Sequence, residues 1–216
     1  MIRRTVATVL GGLAAAVLAD RWLGGLSVDE AGNPIRVPIR TRIEIDAPIG
    51  AVWERLVDIE RQPEWMTDLK AVRVTTSGPT GIGTRADGDI RILGIPVRDP
   101  VEIVEFAPPH RYAVRHAGRF SGQGVITLDT LDGGRRTRVE WAETLVPPIL
   151  PNLGAMIQGP ILGRVFQADL ERLKSLVETS RAGTELGAAA SGPTAPIAPV
   201  AVGSNGNGHA GSPIPD

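Results

Sequence analysis

The chain has 216 residues, a formal net charge of −1 and no cysteine. A chain of this length fits one main domain with additional segments, and a domain of this size needs no disulfide or metal to be stable. The lack of cysteine excludes thiol catalysis and cysteine-containing metal sites. The near-neutral charge provides no general attraction to nucleic acid, so we expect no nucleic-acid partner.

The first element in chain order is an apolar segment over residues 1–26. Two arginines precede an uncharged run over residues 5–19, and Asp20 and Arg21 follow it. The uncharged run alone forms about 22 Å of helix, short of the about 30 Å hydrocarbon core, but the whole segment is long enough to span it. We expect residues 5–26 to engage a membrane as a single-pass N-terminal anchor. The alternative is a secretory signal peptide, whose removal leaves a secreted protein.

The rest of the chain divides into three parts by composition. We predict a linker over residues 27–36, a folded ligand-binding domain over 37–180 and a tail over 181–216. Apolar residues recur periodically through the domain, whereas the tail is mostly Ala, Gly, Pro and Ser and has no aromatic residue. Such a tail buries too little apolar surface to offset its ordering entropy, so we predict that it is disordered.

The domain begins with a strand and a short helix. Apolar and polar residues alternate from Val37 to Ile45, which is typical of a half-buried strand. Apolar residues at helical spacing follow in AVWERLVDI. Asp46 is expected to cap this helix, with Pro48 in its first turn, and Pro63 is expected to end it.

Short extended segments and one long helix complete the domain. About six further strands are predicted between turn signals such as Asp132-Gly133. After Pro147-Pro148, an apolar stripe at steps of three and four residues predicts a long helix, which Pro160 either starts or kinks. This order predicts an α+β fold in which an antiparallel sheet carries helices on one face. A sheet curled around a long helix leaves a cavity suited to a ligand.

Four motifs occur in order along this domain: IEIDAPIGAVWERLVDIERQPEWM, GIGTR, EFAPPHRY and TRVEW, the last before the long helix. With this spacing, residues 38–179 resemble the START-like, helix-grip (SRPBCC) superfamily of the polyketide cyclase/dehydrase and lipid-transport type. The resemblance implies a curved antiparallel sheet of about seven strands wrapped around a long C-terminal helix, here preceded by the N-terminal membrane segment. It also implies that Trp53 packs the first helix of the domain against the sheet. A fold-level resemblance does not specify function, since the superfamily includes lipid and quinone carriers as well as aromatic polyketide cyclases.

Two polar residues alternate with apolar residues on predicted strands. His116 lies in RYAVRHAGRF and Glu143 in RVEWAETL. If both face the cavity, Glu143 is a candidate acid and His116 a candidate base. In the alternative interpretation, both reach the cavity mouth or pair with arginines such as Arg98 or Arg91. No two histidines have metal-ligand spacing, and we expect neither a metal ion nor a cofactor.

We predict that the domain, tethered to the membrane, binds or carries a hydrophobic small molecule such as a lipid, quinone or isoprenoid. The predicted ligand-binding residues are Tyr112, His116, Phe120, Trp141, Glu143, Met156, Ile161 and Phe166. The first alternative is an aromatic polyketide cyclase- or dehydratase-type enzyme that uses His116 and Glu143 as an acid–base pair. The second alternative is a protein-interaction module in which the pocket has no ligand.

Overall fold

The computed structural model describes residues 2–26, 38–92, 94–147 and 150–190. The strands are β1 (Ile39–Ile45), β2 (Leu69–Val74), β3 (Arg85–Ile92), β4 (Ile95–Ala107), β5 (Arg111–Ala117), β6 (Ser121–Leu131) and β7 (Arg136–Val146). The α-helices are α1 (Ile2–Leu26), α2 (Ile49–Val57) and α3 (Pro151–Ala190), and 3₁₀ helices span Ile59–Glu64 and Asp132–Gly134. The predicted linker, residues 27–36, lies outside the described residues.

The strands form one antiparallel sheet in the order β1-β7-β6-β5-β4-β3-β2. Consecutive strands from β2 to β7 are neighbours, so short turns suffice to connect them. The first strand pairs with the last, which brings α2 and α3 onto the same inner face of the sheet. The predicted α+β fold, a curved antiparallel sheet with a long C-terminal helix, is confirmed.

The hydrophobic core lies between the inner face of the sheet, α2 and the C-terminal half of α3. Strand alternation builds the sheet side of this core, because every second side chain of β7 points inward. Trp53 of α2 packs with its ring centroid 5.3 Å from that of Phe106 on β4, as the resemblance implied. The largest fully buried core side chains include Ile45, Val52, Leu56, Trp65, Ile103, Leu128, Val139, Leu170 and Leu173.

The expected cap of α2 is wrong. The residue at the N-cap is Pro48, which has no side chain to cap the helix, and α2 begins at Ile49. The Asp46 carboxylate instead accepts a hydrogen bond from Arg136 on β7, at 2.9 Å. A guanidinium within reach makes a stronger partner for a carboxylate than a neutral helix amide.

Helix α3 is one continuous element that contains Pro160 and begins well before it. The Asp20 carboxylate of α1 caps its first turn by accepting the N–H groups of Asn152 and Leu153, at 2.9 and 2.8 Å. The helix continues to Ala190, ten residues into the predicted tail, and residues 191–216 lie outside the described part of the chain.

The expected membrane-spanning segment is not supported. None of the helices in the described residues is both long and apolar enough to cross a membrane. The longest uncharged stretch of α1 runs from Thr5 to Ala19, which is too short to span the hydrocarbon core. Asp20, at the end of this stretch, is buried against α3.

Candidate functional site: a cavity between the sheet and helix α3

A cavity of about 310 Å³ lies between the inner face of the sheet and α3. This volume is at the lower end of the range for small-molecule sites, about 300–1,000 Å³. Most of its wall is apolar, as expected for a site that removes a ligand from water. The aliphatic wall includes Leu69, Val72, Ile90, Val97, Val101, Ile103, Val114, Ile126, Leu162 and Val165.

Stacked aromatic rings form one side of the cavity. Trp141 of β7 stacks on Phe166 of α3, with ring centroids 4.6 Å apart and an interplanar angle of 25°. Trp65, which follows the 3₁₀ helix, meets Trp141 edge-on at 6.2 Å. Rings in these arrangements attract each other beyond simple burial, so they hold α3 at a defined distance from the sheet.

The cavity reaches the surface beside the N-terminal half of α3. Ile161 lines the cavity and is also 43% exposed, so it lies where the interior meets solvent. On the same side, Gln158 Nε2 donates to the Leu145 carbonyl at 2.8 Å and holds α3 to the end of β7. Among the described lining residues, Ile161 is the large hydrophobic side chain that is exposed, so the cavity wall is most accessible beside it.

Three ionisable side chains form a hydrogen-bonded cluster in the mostly apolar wall. His116 Nδ1 lies 2.7 Å from Asp99 Oδ2, and His116 Nε2 lies 3.1 Å from Glu143 Oε1. The Trp141 indole N–H donates to the other Glu143 oxygen, Oε2, at 2.9 Å. All four side chains are at least mostly buried, so these contacts are shielded from water.

A glycine on β6 allows this cluster to form. His116 is on β5 and Glu143 on β7, with β6 between them, and Gly124 of β6 is paired directly with Glu143. A methyl group at position 124 would overlap Glu143 Oε2 and lie 3.2 Å from Cδ. Since Gly124 has no side chain, the Glu143 carboxylate lies across β6 and reaches the imidazole.

The cluster holds its imidazole in the charged form. Burial by itself lowers the pKa of His116, but the hydrogen bonds and negative charges of Asp99 and Glu143 outweigh burial and raise the pKa to about 10. Both ring nitrogens face carboxylate oxygens. At neutral pH the ring therefore has no lone pair with which to accept a proton.

Two further polar groups line the cavity. Burial raises the pKa of Tyr112 to about 12, against a hydrogen bond with Gln62 that lowers it. Asp169 of α3 accepts both the Thr67 N–H, at 2.8 Å, and the Thr67 hydroxyl, at 2.7 Å, on the same oxygen. Burial raises the pKa of Asp169, and the two Thr67 hydrogen bonds oppose that rise.

The structure brings together seven of the eight predicted ligand-binding residues. Tyr112, His116, Phe120, Trp141, Glu143, Ile161 and Phe166 line the cavity. Met156 is not among the lining residues and is 62% exposed. It lies two residues, or about 200° of helix rotation, from Gln158, which does line the cavity. The arginine pairing considered for His116 and Glu143 does not occur, since they bond to each other and Arg98 pairs with Asp87.

Sequence reasoning missed Asp99, Gly124 and Asp169. Asp99 has the same signal as His116, because it alternates with Val97 and Val101 along β4. A glycine inside a strand pattern, as at 124, is a known sign of close approach by another group. Asp169 gives no such signal, because its partner lies 102 residues away.

The fold and the cavity define a ligand-binding domain of the helix-grip class. Residues 36–178 match the family described as polyketide cyclase / dehydrase and lipid transport. Because the match covers most of the chain, the protein belongs to this family, and the predicted START-like resemblance is confirmed. A search of curated proteins found no match.

Solved structures share the same fold. The Zhui aromatase/cyclase from Streptomyces sp. R1128 aligns with a TM-score of 0.56 and 16% identity, over 67% of this chain and 94% of that chain. A START superfamily protein from Mycobacterium smegmatis aligns with a TM-score of 0.53 and 15% identity, over 66% and 97% of the two chains. A conserved protein from Geobacillus kaustophilus aligns with a TM-score of 0.54 and 16% identity, over 65% of this chain and 95% of that chain. At these identities the similarity shows the fold alone.

Proposed function

We propose that the domain binds and carries a hydrophobic small molecule in the cavity between the sheet and α3. The observation that carries this proposal is an apolar cavity that opens beside α3 and encloses a single buried ionic cluster. An apolar molecule gains free energy by leaving water for such a space, and the cluster provides one fixed point for its polar end.

The bonding of His116 favours a carrier over an enzyme. A general base needs a free lone pair within reach of the proton that it removes. In His116 both ring nitrogens are engaged by carboxylates, and the raised pKa keeps the ring protonated at neutral pH. This arrangement suits recognition of a ligand better than abstraction of a proton.

Native mass spectrometry of the full chain, purified without detergent after exposure to a membrane lipid extract, tests the proposal. We expect a discrete added mass that Leu162→Trp, which fills the cavity, abolishes. Ile157→Trp is the matched control, because Ile157 is on the same helix but exposed and outside the cavity wall. A clean unliganded mass for the wild type would contradict the carrier and favour the protein-interaction module.

A second candidate is an acid–base enzyme of the cyclase or dehydratase type. Its specific support is the contact of His116 with two carboxylates. A substrate that displaced the Glu143 carboxylate from His116 would leave the imidazolium as a proton donor and the carboxylate as a proton acceptor. His116→Asn and Glu143→Gln distinguish the candidates. Retained ligand affinity with lost turnover supports the enzyme, whereas absence of turnover by the wild type on aromatic polyketide-type substrates contradicts it.

We also infer that α1 attaches the protein to a bilayer surface. Large apolar side chains of α1 are exposed: Leu13, Val17, Leu18, Trp22 and Leu26. Asp20 of α1 bonds to the first turn of α3, and the N-terminal half of α3 also contributes Ile161 to the cavity wall. Surface adsorption needs exposed apolar side chains of this kind and no spanning length.

Vesicle flotation tests membrane attachment. Leu18→Glu with Trp22→Glu should abolish flotation, whereas Ile82→Glu, an exposed position outside α1, should leave it unchanged. Equal flotation of both variants would contradict attachment through α1. N-terminal sequencing of protein recovered from cells separates the two predicted fates, since an anchor retains Met1 and a signal peptide is removed.

A further inference from the structure

Four of the six ionisable residues that line the cavity are carboxylic acids. Among the described residues, the wall contains no lysine or arginine. Its ionisable side chains are Asp68, Asp99, Glu143, Asp169, Tyr112 and His116. The one cation among the described residues of this wall, the His116 imidazolium, is already bonded to Asp99 and Glu143, so a carboxylate or phosphate ligand would enter a cavity with several like charges and no unpaired cation.

Counting protons in the cluster fixes its charge. The two contacts of His116 need two protons between three groups. With both protons on the ring, an imidazolium lies between two carboxylates. This arrangement leaves one net negative charge.

The same count leaves the cluster without a free donor. Both ring N–H groups of His116 are donated to carboxylates, one to Asp99 and one to Glu143. The Trp141 N–H is already donated to Glu143 as well. The cluster therefore presents to the cavity only the remaining lone pairs of its carboxylates. Asp169 adds to this pattern, since Thr67 occupies one of its oxygens and the other has no protein partner in the part of the chain that the structure describes.

We propose that the cavity selects apolar molecules whose polar end donates hydrogen bonds, a protonated amine above all and a hydroxyl next, and rejects anionic ends. This inference rests on the proposed binding function and deepens it. An ammonium both satisfies the free lone pairs and neutralises the negative charge of the cluster. A carbonyl-only end, as in a ketone, ester or quinone, leaves those lone pairs without a partner, and the unpaired donor that it meets among the described lining residues is the buried Trp65 indole N–H, outside the cluster.

Four ten-carbon compounds that differ only in the polar end test this selection: decylamine, decan-1-ol, decan-2-one and decanoate. Each is titrated below its micelle concentration into the full chain loaded with the neutral apolar probe N-phenyl-1-naphthylamine, and probe displacement gives the affinity. We expect decylamine to bind about 10–100-fold more tightly than decanoate or the ketone, with the alcohol between them.

Charge-removing variants assign the selection to the cluster. Glu143→Gln keeps the shape of the side chain and removes its charge, so the advantage of decylamine over decanoate should fall about 10-fold or more. Asp99→Asn provides the same test at the other side of His116 if the first variant folds poorly. Glu102→Gln is the matched control, because Glu102 is on β4 but pairs with Arg115 and lies outside the cavity wall.

The outcomes separate the selection from the binding function. Probe binding with equal affinities for decylamine and decanoate would overturn the selection and leave the carrier function standing. An equal loss of selectivity in Glu102→Gln would also overturn it, because the cluster would not then be its source. If neither the probe nor any of the four compounds binds, the carrier function fails and the selection fails with it.

Discussion

The stability of the fold should depend on pH through His116. Its pKa is 6.5 in an unfolded chain and about 10 in the folded protein. Because the folded-state pKa is raised, the stabilisation is fully present below pH 6.5 and is lost as the pH rises through about 10. Each pKa unit is worth about 1.4 kcal/mol, so the free energy of unfolding should fall by about 4 kcal/mol between about pH 6 and pH 9.5.

Urea unfolding followed by tryptophan fluorescence measures this fall, since the chain has four tryptophans. The measurement stops at about pH 9.5 because of Tyr112. The raised pKa of this residue causes a separate loss of stability above about pH 10. The side chain of His116 is only 13% exposed, so solvent screening reduces the effect little.

The control replaces the whole cluster by apolar residues: Asp99→Val, His116→Phe and Glu143→Leu together. Replacing a complete buried ionic group is neutral or stabilising by about 1–4 kcal/mol, which offsets the about 1–3 kcal/mol cost of leaving the buried Trp141 N–H without its Glu143 acceptor, so this variant should fold and show a flat profile. His116→Phe alone should instead cost about 3–5 kcal/mol, because it leaves two buried carboxylates without their cationic partner. A flat wild-type profile, or the same fall in the triple variant, would refute the assignment to His116.

Three further substitutions test individual contacts. Gly124→Ala should lower the free energy of unfolding by about 2–4 kcal/mol, whereas Gly163→Ala in α3, where an added Cβ would meet Ile39 at an ordinary contact distance of 3.5 Å, should raise it by up to about 1 kcal/mol; comparable losses in urea unfolding would contradict the steric argument. Asp169→Ala should cost about 1–3 kcal/mol and speed hydrogen exchange of the Thr67 amide, and an unchanged exchange rate would show that this bond is not formed in solution. Asp20→Ala should cost about 1 kcal/mol and speed exchange only in the first turn of α3, so uniform exchange along the helix would argue against the cap.

Local patterns were sufficient to predict the strands and the orientation of their side chains. Strict alternation in β5 and β7 places His116 and Glu143 among inward-facing apolar residues, and the structure has both in the cavity wall. The same rule would have found Asp99, because it alternates with Val97 and Val101 in a segment that is predicted as a strand.

Partners that are distant in the chain could not be predicted in this way. The hydrogen bond between His116 and Glu143 depends on how β5, β6 and β7 are aligned, which no single strand encodes. Asp46 fails as a cap for the same reason, since its partner Arg136 lies 90 residues away. The position of Met156 depends on where α3 begins, and the capping carboxylate that sets this start lies on α1.

The contact between Gly124 and the Glu143 carboxylate couples two positions that local sequence does not connect. A side chain of any size at 124 requires a shorter or absent carboxylate at 143, and a glutamate at 143 requires glycine at 124. Side-chain volumes at the two positions should therefore vary inversely among related chains. During evolution, glycine would have to be present at 124 before glutamate appeared at 143. It could be replaced only after that glutamate had been lost.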